Sequence, residues 1–174
     1  MTAPHEAAPP TTLQQLLDLE AIKRLKYAYM RCVDTKGWDE MKTLFVPEAT
    51  CSYSAGHYTH EGRDAIVAWL RKGMDKPGFH STHSVHQPEI TLTGPDTAEG
   101  RWKLEDYVLD TDYDIVISGA AFYEDRYVRR DGRWLIQHTG YQRIFEQIEK
   151  RKDRPSLKVT ASMWSTGGAS SLEA

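Results

Sequence analysis

The change of period at Phe79 constrains this chain more than any other feature. Before it, apolar side chains recur at helical spacing. After it they alternate with period two through four long strand candidates, Phe79–Leu92, Thr97–Leu109, Ile115–Arg129 and Trp134–Phe145. Gly94-Pro95-Asp96 separates the first two, and Asp131-Gly132 between Arg130 and Arg133 is a strong hairpin signal for the last two. Helices followed by an antiparallel meander make an α+β arrangement with the helices on one face of a sheet. Strands this long in a chain of 174 residues should curl and give that sheet a concave side.

The helical part opens at Thr12, which forms a capping box with Gln15. Leu13, Leu16, Leu17, Ile22, Leu25, Tyr29, Cys32 and Val33 then define one amphipathic helix over Leu13–Val33, about 31 Å long at the standard rise. Tyr29 lies on its buried stripe. Asp34 follows five positions later and is turned about 140° away at about 100° per residue, so the two can converge only if the helix ends or bends near Val33. Thr35-Lys36-Gly37 provides such a stop. A short helix over Trp38–Phe45, halted by Pro47, completes a hairpin. Strands over Ala49–Tyr53 and His57–Glu61 and a third helix over Gly62–Lys72, with Gly73 as its stop, lead to Phe79.

A net charge of −3 and a pI near 6.2, with scattered basic residues, give no footprint for nucleic acid or an anionic membrane. No run approaches the ~18 apolar residues that span a bilayer. Cys32 and Cys51 lack CxxC spacing and read as buried thiols of a reducing cytoplasm. The first dozen residues have neither the basic start nor the apolar run of a secretory leader. Residues 1–12 therefore read as a flexible arm, 13–148 as one domain, and 149–174 as a partly flexible tail in which the Ser- and Gly-rich stretch from Ser162 needs a partner to be fixed.

Chemistry-bearing residues stand where the pattern is otherwise apolar. Along Thr97–Leu109 the odd positions are charged or polar, whereas Trp102, Leu104 and Val108 share their side with Asp106. Asp106 is either a strand-end acid reaching water or a carboxyl in an apolar pocket, protonated and able to donate. His80, His83 and His86 cannot converge on a metal from a regular strand, because His83 points away from the other two. His83 is a satisfied core histidine by itself and a base if an acid such as Asp34 fixes its tautomer. Tyr29 can be core filling or a proton donor. Arg143, grouped by alternation with Leu135, Tyr141 and Phe145, is either a snorkelling surface cation or a counter-ion for Asp106 or a substrate carboxylate. Asp110, Asp112 and Asp114 read as an exposed loop, since no glycine turn or closing glutamate follows. The chain has no nucleophile-elbow serine, phosphate-cradling loop or dinucleotide fingerprint, which favours cofactor-free chemistry or simple binding.

The runs Glu20-Ala21-Ile22-Lys23, Arg31-Cys32-Val33-Asp34, Trp38-Asp39-Glu40, Ser52-Tyr53-Ser54, Pro88-Glu89-Ile90-Thr91, Gly100-Arg101-Trp102, Leu104-Glu105-Asp106, Gly119-Ala120-Ala121-Phe122-Tyr123, Thr139-Gly140-Tyr141 and Arg143-Ile144-Phe145-Glu146 follow one another in a familiar order. Through them the chain resembles the SnoaL-like branch of the nuclear-transport-factor-2-like superfamily. Within that branch it is most similar to the bacterial bile-acid 7α-dehydratases and more distantly to scytalone dehydratase. The resemblance implies a cone-shaped fold, a curved and mostly antiparallel sheet wrapped around the helical hairpin and the third helix. It also implies a cofactor-independent hydro-lyase, with Tyr29, Asp34, His83, Asp106 and Arg143 in the catalytic positions. The implied substrate is a hydroxylated 3-oxo-4-ene steroid or bile-acid-like compound, free or as a coenzyme A thioester, and the implied assembly is a homotrimer. Another small-molecule isomerase or dehydratase, or a non-catalytic ligand-binding or structural subunit, remains open beside it.

Overall fold

The structure, a computed structural model, describes residues 10–172. Its first element, α1 (Leu13–Thr35), starts at the capping box: Thr12 Oγ1 accepts from the Gln15 backbone N–H, and the Gln15 side chain accepts from the Thr12 backbone N–H. It ends two residues later than the pattern predicts. Lys36 adopts a left-handed conformation (φ 56°), and the Gly37 N–H reaches back to the Cys32 carbonyl at 2.8 Å, the closing bond of a Schellman turn. Asp34 is thereby fixed in the last helical turn.

The second helix, α2 (Trp38–Thr43), is shorter than expected, because Phe45 already belongs to β1 (Phe45–Tyr53). Pro47 lies within that strand and does not end the helix. The strand tolerates it because the pairing is irregular between Phe45 and Thr50, where a missing N–H breaks no ladder bond. β2 (Tyr58–Glu61) and α3 (Arg63–Met74) follow, and Gly73 sits inside α3. The four long strands are β3 (Phe79–Gly94), β4 (Thr97–Asp110), β5 (Ile115–Arg130) and β6 (Arg133–Lys150). At the β5–β6 turn Asp131 (φ 52°) and Gly132 (φ 75°) both take positive φ, the signature of a primed hairpin turn.

The six strands form one sheet in the order β2-β1-β6-β5-β4-β3, antiparallel throughout except for the parallel β1–β6 pair. Gly140 lies at that parallel junction, where an added Cβ would stand 2.5 Å from the Ser52 carbonyl oxygen. Gly140→Ala should therefore cost about 1–3 kcal/mol by forcing β1 and β6 apart, a loss readable in a urea titration.

One face of the sheet packs on the helices. Ile22, Leu25, Tyr29 and Val33 of α1 and Ile66, Val67 and Leu70 of α3 join Trp102, Leu104, Ala121, Tyr123, Tyr127 and Ile136 in a single core. Cys32 and Cys51 are buried free thiols, both pushed up to about 11 by burial. Ser162 is buried, its carbonyl accepts from the Thr166 and Gly168 N–H groups, and the Trp164 ring lies 4.0 Å from Lys36 Nζ. Residues 1–9 of the expected N-terminal arm lie outside the described residues.

The core also holds an ion pair. Lys26 Nζ lies 2.7 Å from Asp125 Oδ2, and neither side chain has any exposure. Burial pulls the Lys26 ammonium down to about 8, against the opposing attraction of Asp125. Its proton is therefore held less tightly in the folded state than in the unfolded one, so stability should rise as pH climbs from about 8 toward 10.5, by at most about 3 kcal/mol. Buried Tyr29, Tyr53, Tyr123 and Tyr127 are raised well above 10 by desolvation, and their contribution is lost as pH climbs further. A melting temperature that rises from pH 8 to 10, and a flat profile over that interval in Lys26→Met, is the expected result.

Candidate active site

Three hydrogen bonds converge on the Asp34 carboxylate from the first turns of β3. His83 Nδ1 approaches Asp34 Oδ1 at 2.6 Å, the His83 backbone N–H donates to Oδ2 at 2.9 Å, and Ser81 Oγ donates to Oδ1 at 2.8 Å. Period-two alternation puts Ser81 and His83 on the side facing the end of α1, and the Schellman stop holds the acid there. With Nδ1–H donated to Asp34, the imidazole presents Nε2 as its basic atom. Among the described residues Nε2 has no hydrogen-bond partner, and it is not sealed from solvent, the side chain as a whole being 11% exposed. The arrangement is an oriented base with an acid behind it.

Asp106 is the register partner of His83 across β3–β4. Its two oxygens face Arg143, with Nη1 to Oδ1 at 2.5 Å and Nη2 to Oδ2 at 2.9 Å. A fork that engages both carboxylate oxygens is the geometry of a bidentate ion pair, so Asp106 does not stand alone on its apolar face. Arg143 also lies 3.1 Å from Glu146 through Nε and 5.1 Å from the Tyr141 ring. It is not the snorkelling surface cation.

The grouping of Arg143 with Leu135 and Phe145 fails for a structural reason. Register shifts in β6 opposite Ala120/Ala121 and Arg126/Tyr127 flip the alternation on either side of Thr139–Arg143. Phe145 is consequently 54% exposed, whereas Ile136 is buried. Asp110 departs from the exposed-loop reading: it is buried at the end of β4 and accepts from Lys76 Nζ at 2.8 Å.

Tyr29 is not bonded to the His83–Asp34 pair. Its hydroxyl lies 2.7 Å from that of Tyr53, and both residues are buried. Burial first, and then the neighbouring phenol, hold Tyr29 protonated far above neutral pH. Sequence reasoning missed Tyr53 and Ser81 as site residues, though both had a signal: Ser81 shares the facing of His83, and Tyr53 ends a strand whose alternate positions Ala49, Cys51 and Tyr53 are buried. Two surface cavities among the described residues lie apart from the pair. One of about 970 Å³ runs between Gln15, Leu19, Ile90 and Arg126, and one of about 380 Å³ between Thr35, Trp38, Lys76 and Trp164. Among the described residues no group of three His, Cys, Asp or Glu side chains is placed to hold a metal ion, and no helix is long and apolar enough to cross a membrane.

Three helices against a curved, open, mixed six-stranded sheet define the α+β cone of nuclear-transport-factor-2-like proteins. Residues 14–140 match the model of the SnoaL-like domain, and the chain belongs to that family. Its fold is shared with a candidate scytalone dehydratase from Novosphingobium aromaticivorans, 22% identical over 76% of this chain and 88% of that one, with a TM-score of 0.69. A type 2 hexachlorocyclohexane dehydrochlorinase is 19% identical over 79% and 92% of the two chains, with a TM-score of 0.71. The type 3 dehydrochlorinase of Novosphingobium barchaimii is 18% identical over 79% and 93%, with a TM-score of 0.70.

Proposed function

We propose that this chain is a cofactor-independent lyase that eliminates water from a hydroxylated 3-oxo-4-ene steroid or bile-acid-like compound. The observation that carries the reading is the His83 Nδ1 to Asp34 contact of 2.6 Å, with Nε2 free of partners among the described residues. In such a substrate the carbonyl, conjugated through the double bond, acidifies the hydrogen beside the hydroxyl-bearing carbon. His83 Nε2 takes that proton, and the C–H electron pair becomes a dienolate. The dienolate then collapses, forms the new double bond and expels hydroxide, which leaves as water when it receives one proton. The proton carried on His83 supplies that equivalent, so the enzyme returns to its starting state. Asp34 supports the imidazolium, and the Asp106–Arg143 pair positions the polar end of the substrate.

Tyr29 would assist proton delivery to the departing hydroxyl. Its engagement with Tyr53 favours a second reading alongside the first, an elimination whose leaving group needs no acid, as in the dehydrochlorinases of like fold. Incubation with hydroxylated 3-oxo-4-ene steroids, smaller hydroxy ketones and chlorinated rings, followed by mass spectrometry, separates the two. Loss of water from the steroids supports the first and loss of hydrogen chloride alone the second, while no elimination across the panel would point to a binding or structural role. Assembly as a homotrimer belongs to the same proposal. Exposed Phe122 and Phe145 supply apolar surface to cover, and a monomeric mass in solution would remove that part.

A further inference from the structure

Lys26 and Asp125 are used by nothing in the chemistry above, yet they occupy the middle of the core. Lys26 stands one helical turn before Tyr29 on the inward stripe of α1. Its ammonium is 3.3 Å from the ring centroid of Tyr123 and 5.0 Å from that of Tyr29. Asp125 Oδ2 accepts from the Tyr127 hydroxyl at 2.7 Å, and that hydroxyl accepts from Trp102 Nε1 at 2.9 Å. The carboxylate is thus anchored from the sheet side while it holds the ammonium against the rings. Among the described residues Asp125 Oδ1 and the Oγ1 of its register partner Thr139 are buried without a hydrogen-bond partner, so the cluster is not one that maximises bonding. A buried ion pair rarely outperforms well-packed apolar side chains of the same volume. The stability of the core therefore does not explain why these charges stand here.

What the pair does reach is the aromatic network next to the site. Tyr123 meets Tyr29 edge to face at 6.4 Å and Tyr141 edge to face at 5.5 Å, and Tyr141 lies against Arg143. Tyr29 also meets Phe45 edge to face at 5.8 Å, and its hydroxyl ends on Tyr53. An ammonium on a phenol face is attracted by the ring quadrupole and opposes tilting of the ring. We propose that Lys26 and Asp125 are positioning residues, a buried charge pair that fixes the rings of Tyr123 and Tyr29 and through them the Tyr29–Tyr53 hydroxyl pair and the Tyr141 support of Arg143. The catalytic consequence rests on the lyase reading; the alignment of the rings does not.

The alignment should depend on the charge of Lys26. The groups facing the ammonium and its two rings are Asp125, Tyr123 and Tyr127 from β5, Tyr29 from α1, Tyr53 and Cys51 from β1, and Tyr141 from β6. Tyr29, Tyr53, Tyr123, Tyr127 and Cys51 are all pushed upward by burial, whereas burial brings Lys26 down to about 8, where rising pH should discharge it before them.

The test is a pH titration of the full chain with ring-labelled tyrosine, followed by nuclear magnetic resonance in the wild type, Lys26→Met and Lys26→Arg. The Tyr29 and Tyr123 ring signals should move together in one step near pH 8, the step should vanish in Lys26→Met, and Lys26→Arg should keep the neutral-pH positions at all values. Signals that stay flat through pH 7–10 in the wild type, or an identical step in Lys26→Met, overturn the proposal. Should Lys26→Met not fold, the Lys26→Met/Asp125→Leu double variant, which leaves no charge unpaired, serves in its place with the same expectations. If the rings respond as described and the wild type turns over no elimination substrate, the lyase reading falls and the positioning pair stands.

Discussion

Replacing His83 by glutamine is expected to slow elimination by about two to four powers of ten while the fold persists, because that range is what a positioned general base supplies. Glutamine fills similar space and keeps a donor toward Asp34, so the loss should fall on the catalysed rate and not on thermal stability. Asp34→Asn should act in the same direction through the imidazole. An amide offers one acceptor oxygen where the carboxylate offers two, and Asp34 now receives three donors, from Ser81, His83 Nδ1 and the His83 backbone. Its removal also withdraws the charge that supports the imidazolium. Ser81→Ala deletes one of three bonds and should cost far less than either. Rates of the three variants measured on one substrate give the ordering, and a His83→Gln enzyme as fast as the wild type would contradict it.

Arg143→Met should destabilise the fold by about 3 kcal/mol, the lower end of what breaking a buried pair costs. Asp106 has a side chain only 3% exposed and would be left as a buried carboxylate without its fork, while Arg143 itself is 20% exposed and gives up less on removal. A second change, Asp106→Asn, removes the stranded charge and should recover much of the loss. Denaturant titration of the single and double variants reads the effect directly. A single variant as stable as the wild type would show that Arg143 is held there for the substrate and not for Asp106.

The helical hairpin, the meander of the four long strands and the Asp131-Gly132 turn were legible because each depends on local rules: a period, a cap, or a turn that needs positive φ; the parallel pairing of β1 with β6 is non-local and was not. The His83–Asp34 pair was half legible. Alternation on β3 gave the facing of His83, and the Thr35-Lys36-Gly37 stop gave the place of Asp34 near the helix end, but only the fold brings the two within 2.6 Å. The facing of β6 was not legible beyond Thr139–Arg143, since two register shifts break the period on which such reading relies. Lys26 and Asp125 left a signal that was passed over. Lys26 lies four residues after Ile22 and three before Tyr29, and Asp125 falls between Tyr123 and Tyr127 on one side of β5, so each is a charge on an apolar face awaiting the other.

The chemistry proposed for this protein depends on an imidazole that removes a proton from carbon. The direct measurement uses a hydroxy ketone carrying deuterium on the carbon that is to lose its hydrogen, incubated with the wild type and with His83→Gln, with the product weighed by mass spectrometry. The expected result is a dehydrated product from the wild type that has shed its deuterium to solvent, and almost no product from the variant. A dehydrated product that keeps its deuterium, or equal yields from the two proteins, would contradict the account.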